Sequence, residues 1–458
     1  MTGIFKDKRI LVAGLGKSGN AAFNALLKVG AVPAVFDDRD IEKDEPSLFA
    51  GLRAAGADLY LGGEPVPDED WDYIVMSPGV PPMIPFAEKA RARGAEVIGE
   101  IELSWLLGRG HYAAITGTNG KTTTTTLTGE IFSAAGLKTV VAGNIGTPVV
   151  SESVAAGDDT WLVTEVSSFQ LETIKDFRPK IAAVLNLTPD HMDRHKNMEN
   201  YAAAKARLFE NQEDDDFLVY NADDELVCSV SAGACAKKIA FSRTKELLNG
   251  AFVKDGMIVI AENGEALEIV RADELQIPGP HNLENALAAA AVAYAAGVGP
   301  RVIAKALKDF KGVEHRLEFV SEIGGVRYVN DSKGTNPDAG IKAIEAIGKD
   351  ILLIAGGYDK DGDFKEYIDA ARGRVRKLLL LGATAEKIRG CAIAEGFDAE
   401  DVIMAGNMER AVALGAEYAR PGDTVLLSPA CASWDMYLNY EERGADFKER
   451  VTRLEAQT

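Results

Sequence analysis

The sequence predicts an α/β protein of three domains built on mostly parallel sheets. Three observations point there. Short, almost wholly apolar runs of strand length alternate with helical patterns along the chain. Several of these runs end in glycine or polar clusters, where open α/β sheets bind their ligands. The length, 458 residues, suits about three domains.

The runs can be taken in order. They are R-I-L-V-A-G from Arg9, Y-I-V-M-S from Tyr73, Y-A-A-I-T-G from Tyr112 and W-L-V-T-E from Trp161. I-A-A-V-L-N from Ile181, I-L-L-I-A-G-G from Ile351, K-L-L-L-L-G from Lys377 and T-V-L-L-S-P from Thr424 follow. Strands apolar at nearly every position suit a parallel sheet covered on both faces, with the intervening helices as crossovers. Between Phe241 and Gln276 the rhythm breaks: D-G and N-G turns separate short apolar runs, which predicts a small β excursion. Three blocks result, 1–101, 102–312 and 313–458, the last opening just before H-R-L-E-F.

Composition narrows the function classes. Apolar residues make up 47% and charged residues 26%, an ordinary globular balance. A net charge of −20 argues against nucleic acid or an anionic membrane surface as partner. Any phosphate pocket must therefore be built locally, against the overall field. Cys228, Cys235, Cys391 and Cys431 form no C-x-x-C pair and have no histidine cluster, so reduced structural cysteines of a cytosolic protein are expected. The start, M-T-G-I-F-K-D-K-R, lacks the apolar core of a signal peptide. The longest apolar stretch, about Leu287 to Val298, is Ala-rich and too short for a membrane span, and is expected as a packed helix.

Six motifs carry chemistry. G-L-G-K-S-G, Gly14 to Gly19, follows a strand and opens a helix, with Asp37 and Asp38 after the next strand. This matches G-x-G-x-x-G with its acidic residue about 20 positions on. Glycines let a diphosphate approach the backbone, and the helix N-terminus favours its charge. The motif admits a dinucleotide or a nucleoside diphosphate, and also a turn that only packs helix on strand. I-T-G-T-N-G-K-T-T, Ile115 to Thr123, has the parts of a phosphate cradle, although Ile115 stands where the usual first glycine would be. Lys121 would reach the β- and γ-phosphates and the Thr122 hydroxyl would face Mg²⁺. Glu165, closing a strand in W-L-V-T-E-V-S-S-F-Q, could hold that ion. Without the phosphate loop it would be an ordinary solvated charge.

L-N-L-T-P-D-H-M-D-R-H gathers Asp190, His191, Asp193 and His195 after another strand, as an active-site loop or a solvated turn. A zinc site is disfavoured, since neither a thiolate nor H-x-x-x-H spacing appears. Lys205 falls four residues after Tyr201 and three before Leu208, on one helix face. Lysine on such a stripe ordinarily snorkels. If desolvated, its pKa falls and the neutral amine can take up CO₂ as a carbamate. In the last block, Y-V-N-D-S-K-G-T-N, G-G-Y-D-K-D-G-D and S-P-A-C-A-S-W-D follow predicted strands and put Asp331, Lys333, Thr335, Lys360 and Ser433 along one sheet edge.

Taken together, T-G-T-N-G-K-T, E-V-S-S-F-Q, T-P-D-H-M-D-R-H, the A-K-A-R lysine, P-G-P-H-N-L-E-N, E-H-R-L-E and N-D-S-K-G-T-N resemble the Mur ligases, in order along nearly the whole chain. The G-L-G-K-S-G start and S-P-A-C-A-S-W-D end look like the D-glutamate-adding branch. The resemblance implies a Rossmann-like N-terminal domain for the UDP moiety, a P-loop-type central ATPase domain and a Rossmann-like C-terminal domain. It implies that Gly14, Gly16, Lys17, Ser18, Gly19, Asp37, Asp38, Arg39, Ser77 and Gly79 hold the UDP end, with Asn144 at the sugar or diphosphate. ATP would lie on Gly117, Thr118, Asn119, Gly120, Lys121, Thr122 and Thr123. Asn282 and Asn285 would meet the adenine, and Arg316, Asp331 and Lys333 would complete the site. Thr335, Lys360, Ser433 and the backbone near Tyr440 would bind D-glutamate.

The implied chemistry is ATP-dependent amide formation through an acyl phosphate on UDP-N-acetylmuramoyl-L-alanine, in cytoplasmic peptidoglycan precursor synthesis. One Mg²⁺ would be held by Thr122 and Glu165, and a second by His191 and a Lys205 carbamate. A monomer without nucleic-acid partners or membrane insertion is expected. The rivals are another Mur-type ligase, a folylpolyglutamate synthase, a nucleotide-binding regulatory subunit without turnover, and an NAD-dependent dehydrogenase. Folylpolyglutamate synthase lacks a G-x-G-x-x-G domain ahead of the phosphate loop. The complete Lys121, Glu165, His191 and Lys205 set argues for turnover, and the dehydrogenase rests on the first motif only.

Overall fold

The computed structural model describes residues 3–39, 42, 46–67, 69–277, 279–358 and 363–456. The chain divides into two compact units, Met1–Asp273 with Asn285–Leu307, and Glu274–Glu284 with Lys308–Thr458. The first unit holds two sheets and the second holds one.

The first sheet comprises β1 (Ile10–Ala13), β2 (Ala34–Asp37), β3 (Leu59–Leu61), β4 (Tyr73–Met76) and β5 (Glu96–Gly99). It is parallel throughout, in the order β3-β2-β1-β4-β5. Alternate residues of β1 enter two different cores, Ile10 and Val12 on one face, Leu11 and Ala13 on the other. That is why its sequence is apolar at every position rather than at every second one. The order reverses at β1, so the loops after β1 and β4 flank a crevice at the strands' carboxyl ends.

The second sheet comprises β6 (His111–Thr116), β7 (Lys138–Gly143), β8 (Thr160–Glu165), β9 (Ile181–Val184), β10 (Phe217–Asn221), β11 (Lys237–Ser242), β12 (Gly250–Lys254), β13 (Met257–Glu262) and β14 (Glu265–Arg271). Its order is β14-β13-β12-β11-β10-β9-β6-β8-β7. Pairing is parallel as far as β12 and antiparallel from there to β14. This meander is the predicted β excursion. Its two-residue turns, Asp255-Gly256 and Asn263-Gly264, have positive φ at both positions, the geometry that tight hairpins require. Most of the Ala-rich stretch lies in the helix Pro280–Ala295, where Ala286 to Ala293 are wholly buried, and its last residues, to Val298, run past the helix end.

The third sheet comprises β15 (Glu318–Ile323), β16 (Val326–Asn330), β17 (Ile351–Ala355), β18 (Val375–Leu381), β19 (Val402–Gly406) and β20 (Thr424–Leu427). The order is β15-β16-β20-β17-β18-β19, with only the β15–β16 hairpin antiparallel. The last strand inserts between β16 and β17. The loops after these three strands therefore share one edge, as expected for Asp331 and Ser433. No helix among the described residues is long and apolar enough to cross a membrane.

Candidate active site

In the first unit, the crevice at β1 is a cavity of about 500 Å³. Of the eleven residues expected at the UDP end, all but Gly19 line it. Gly19 acts beneath the surface: a Cβ there would collide with the Gly14 carbonyl oxygen, so only glycine lets the helix Lys17–Lys28 approach the strand end. The Ser77 hydroxyl donates to that same carbonyl at 2.8 Å, tying the β4 loop to the β1 loop. Asp37 is buried and accepts the Leu15 N–H at 2.8 Å and the Arg39 side chain at 3.1 Å. Burial pushes its carboxyl up, but the Arg39 side chain and the Leu15 and Arg39 amides outweigh this and hold it below the usual range. The Leu15 amide, inside the glycine motif, is thus committed to Asp37.

The phosphate loop spans the turn from β6 into the helix Lys121–Ala134. It is fixed by partners at the end of β9. Thr118 N–H donates to Asn186 O at 2.9 Å, and Asn119 N–H to Asn186 Oδ1 at 2.8 Å. The Thr118 hydroxyl donates to Thr188 O and accepts the Thr188 N–H, both at 3.0 Å. Gly120 has a φ of +83°, and a Cβ there would strike Asn285 Oδ1. Asn285 also receives the Thr124 hydroxyl at 3.4 Å, and so belongs to the loop's surroundings. Thr123 is buried beneath the loop. Lys121 folds back on the loop, donating to the carbonyls of Gly117 at 2.9 Å and Thr118 at 2.8 Å. Thr122 donates to Glu165 Oε2 at 2.8 Å, and Asn144 Nδ2 to Glu165 Oε1 at 2.9 Å. Asn144 therefore links the cavity to the phosphate loop.

Lys205 reaches this cluster from the helix Met198–Ala206. It is 2% exposed, and its Nζ donates to Gly117 O at 2.9 Å. Two amines thus meet one carbonyl oxygen. Burial holds the Lys205 amine well below the usual lysine value, Lys121 acts in the same direction, and Asp190 and Glu165 oppose. The Tyr201 ring lies 4.8 Å from Nζ, as the helical spacing implied. His191 sits at a φ of +55° with Nε2 3.7 Å from Asp190 Oδ2 and its ring against Phe169. His195 has a different place. It is buried, with Nε2 3.0 Å from Ser168 Oγ and its ring stacked on Phe169, so it supports the loop from behind. The Asp193 side chain lies outside the described residues.

Hard oxygen donors at Thr122 and Glu165 suit Mg²⁺. An ammonium at Lys205 would not, whereas a carbamate would add a further oxygen ligand.

In the second unit, Asp331 is fully buried after β16. Burial pushes its carboxyl up to about 6, while Arg316 at 3.6 Å, the Ser428 hydroxyl and the Leu317 N–H act against that rise. Lys333 donates to the Tyr440 hydroxyl at 2.9 Å, and Ser332 Oγ to the Tyr440 carbonyl at 2.8 Å. Thr335 N–H donates to Lys333 O at 2.9 Å. Ser433 is buried two residues beyond Cys431, and Asn282 is buried beside Gly279. Lys360 lies outside the described residues.

Arg443 went unnoticed in the sequence. It is fully buried and donates to the carbonyls of Cys431, Ala432 and Ser332 and to Ser332 Oγ, at 2.8–3.1 Å. One guanidinium thereby joins the loop after β16 to the loop after β20. Asn186 was also missed. Both are placed by contacts far apart in sequence, which no local pattern marks.

Three family models match in succession: "Mur ligase MurD-like, N-terminal domain" over residues 8–99, "Mur ligase middle domain" over 115–293 and "Mur ligase, glutamate ligase domain" over 315–431. The curated UDP-N-acetylmuramoylalanine--D-glutamate ligase of Thermoanaerobacter sp. (strain X514) is 49% identical over 450 residues, covering 98% of this chain and 99% of its own. The chain belongs to the Mur ligase family. As a Mur ligase it is an ATP-dependent enzyme that forms amide bonds, which removes the dehydrogenase and regulatory-subunit alternatives. The ligase of the same name from Pelotomaculum thermopropionicum is 51% identical over 451 residues, covering 98% of each chain. The fold agrees with that of solved Mur ligases. UDP-N-acetylmuramate-alanine ligase MurC from Thermotoga maritima superposes with a TM-score of 0.60 at 19% identity, covering 97% of this chain and 99% of its own. MurF ligase from the same organism, solved in complex with ADP, gives 0.58 at 14%, covering 99% and 97%.

Proposed function

We propose that this Mur ligase joins D-glutamate to UDP-N-acetylmuramoyl-L-alanine, with ATP cleaved to ADP and phosphate, in cytoplasmic peptidoglycan precursor synthesis. The observation that carries this reading is near-half identity, along almost the whole chain, to ligases of that name. Residues 1–101 are assigned to the UDP substrate, 102–312 to ATP and catalysis, and 313–458 to the amino acid. The enzyme acts as a monomer.

The chemistry follows from the residues. The L-alanyl carboxylate is a poor electrophile until one oxygen becomes a leaving group. Transfer of the γ-phosphoryl group to that oxygen gives an acyl phosphate, and catalysis is then mainly positioning and charge neutralisation. Lys121, released from the loop carbonyls, neutralises the β- and γ-phosphates. Asn144 holds the UDP substrate at the edge of the Glu165 site. Thr122 and Glu165 would hold one Mg²⁺, and His191 with a carbamylated Lys205 a second; the ions supply positive charge between the anionic reactants. Arg316, Asp331 and Lys333 are assigned to the nucleotide, together with Asn282 and Asn285 at the adenine. Thr335, Lys360, Ser433 and the Tyr440 backbone are assigned to D-glutamate, with Lys360 and Ser433 on its side-chain carboxylate. The amine attacks the acyl carbon, and the phosphate leaves with the former carboxylate oxygen.

The test is phosphate release from ATP with UDP-N-acetylmuramoyl-L-alanine across a panel of amino acids. Release with D-glutamate, and a product heavier by one glutamyl residue, is expected. Turnover with L-lysine or meso-diaminopimelate but not D-glutamate would reassign the acceptor.

A further inference from the structure

Glu100 is the first residue after β5, at the junction between the first sheet and the second. It is buried, yet it lines neither the cavity nor the phosphate loop. Its Oε1 accepts the Val150 N–H at 2.6 Å, while its Oε2 is buried without a hydrogen-bond partner. That partner of Oε1, Val150, lies at the end of a loop that carries a site residue. Val149 and Val150 open the helix Val149–Ser153, which follows the segment Gly143 to Pro148. That segment holds Asn144. Its near end is tied down by Asn144 N–H on Glu165 O at 2.9 Å and by Gly143 N–H on Thr147 O at 2.8 Å. Its far end meets Glu100. The junction is tight: Gly99 N–H donates to Thr173 O at 3.1 Å, and a Cβ on Gly99 would collide with the Thr173 hydroxyl.

We infer that Glu100 is a positioning residue, whose carboxyl anchors the end of the loop after β7 and so sets Asn144 at the UDP cavity. The inference rests on reading that cavity as the UDP-substrate site. A carboxyl suits the task because its oxygen can accept the Val150 N–H, as an apolar side chain of similar size cannot. An alanine leaves the Val150 N–H buried without an acceptor, and the loop can satisfy it only by moving. Displacements of about 1 Å at a substrate contact are costly in rate, up to about 100-fold.

The test has two parts, read on Glu100→Ala, with Glu100→Gln as the shape-preserving control. Amide hydrogen exchange of residues 143–150 needs no substrate. It should quicken at least tenfold in the alanine variant and much less in the glutamine variant, which keeps an acceptor oxygen. Steady-state kinetics should show KM for UDP-N-acetylmuramoyl-L-alanine raised about tenfold or more in Glu100→Ala, with KM for D-glutamate within twofold of the wild type. Adding Asn144→Ala should change the UDP-substrate KM little further, because both substitutions remove one contact. Unchanged exchange at 143–150 overturns the anchor. Quickened exchange with all KM values raised equally, or with additive effects of the two substitutions, overturns the positioning role. If wild-type enzyme itself does not use the UDP substrate, the proposed function fails, and the exchange result still decides the anchor. Should the alanine variant not fold, Glu100→Asp, which withdraws the carboxyl by one methylene, is read in the same two ways.

Discussion

At Lys205, burial and a lysine neighbour both oppose a positive charge. The neutral amine is the form that adds CO₂, and the carbamate carries the charge a Mg²⁺ site needs. Lys205→Ala should lose nearly all activity and regain part of it with added formate or acetate. Rescue by a small amine but by no carboxylate would instead mean an unmodified lysine on phosphate. Glu100 gives a second prediction, on stability. Burial pushes its carboxyl up to about 7, against hydrogen bonds that favour the charged form. The folded state therefore holds this proton more tightly than the unfolded chain does. The contribution is present below the ordinary glutamate pKa and is lost as pH rises through about 7. Glu100→Gln should gain on the wild type in unfolding free energy between pH 5 and pH 8, by an amount on the order of 3 kcal/mol at most. A constant gap would contradict this. Lys205 was legible because its spacing to Tyr201 is local. Glu100 was not, since an acidic residue opening a helix ordinarily means only a favourable dipole.

Among the elements, the turn from β6 into its helix was legible because glycine, lysine and threonine there have few other uses. Lys121→Ala should abolish turnover while the melting temperature stays close to that of the wild type. Near-normal turnover would separate the loop from ATP. The helix Tyr440–Glu455 is the opposite case. Its sequence, Y-E-E-R-G-A-D-F-K-E-R, has the pattern of a solvated face, yet Arg443 is fully buried on it. Its partners all lie outside the helix, Ser332 as far as 111 positions away, and helix periodicity does not mark contacts to other elements. Arg443→Met should strip four donor contacts from two loops. The expected cost is at least about 2 kcal/mol, with a raised D-glutamate requirement if Ser433 binds that substrate. A calorimetric melt and a D-glutamate titration measure the two effects. Arg443→Lys should recover little, because an ammonium cannot reproduce the fork.

Across the whole molecule, each sheet repeats one arrangement, with buried parallel strands ending in loops that carry chemistry. That repetition made the α/β class readable, since strands apolar on both faces leave few alternatives. Strand order was not readable. Nothing local announces that β20 slips between β16 and β17, and this insertion brings Asp331 and Ser428 within 2.9 Å. The hairpins of the second sheet were readable from their D-G and N-G turns, where two consecutive positive φ values leave few residue choices. The net charge of −20 set the reading of the site as well. Against that field, the anionic reactants need Lys121 and the Mg²⁺ proposed at the Thr122–Glu165 pair.

The central claim is that ATP activates the substrate carboxylate as an acyl phosphate before the amine arrives. Labelling the L-alanyl carboxylate of UDP-N-acetylmuramoyl-L-alanine with oxygen-18 tests it directly. Mass spectrometry of the phosphate released with D-glutamate should show one labelled oxygen per phosphate, since the bond to the carboxyl carbon is the one that breaks. Amide product accompanied by unlabelled phosphate would contradict the account.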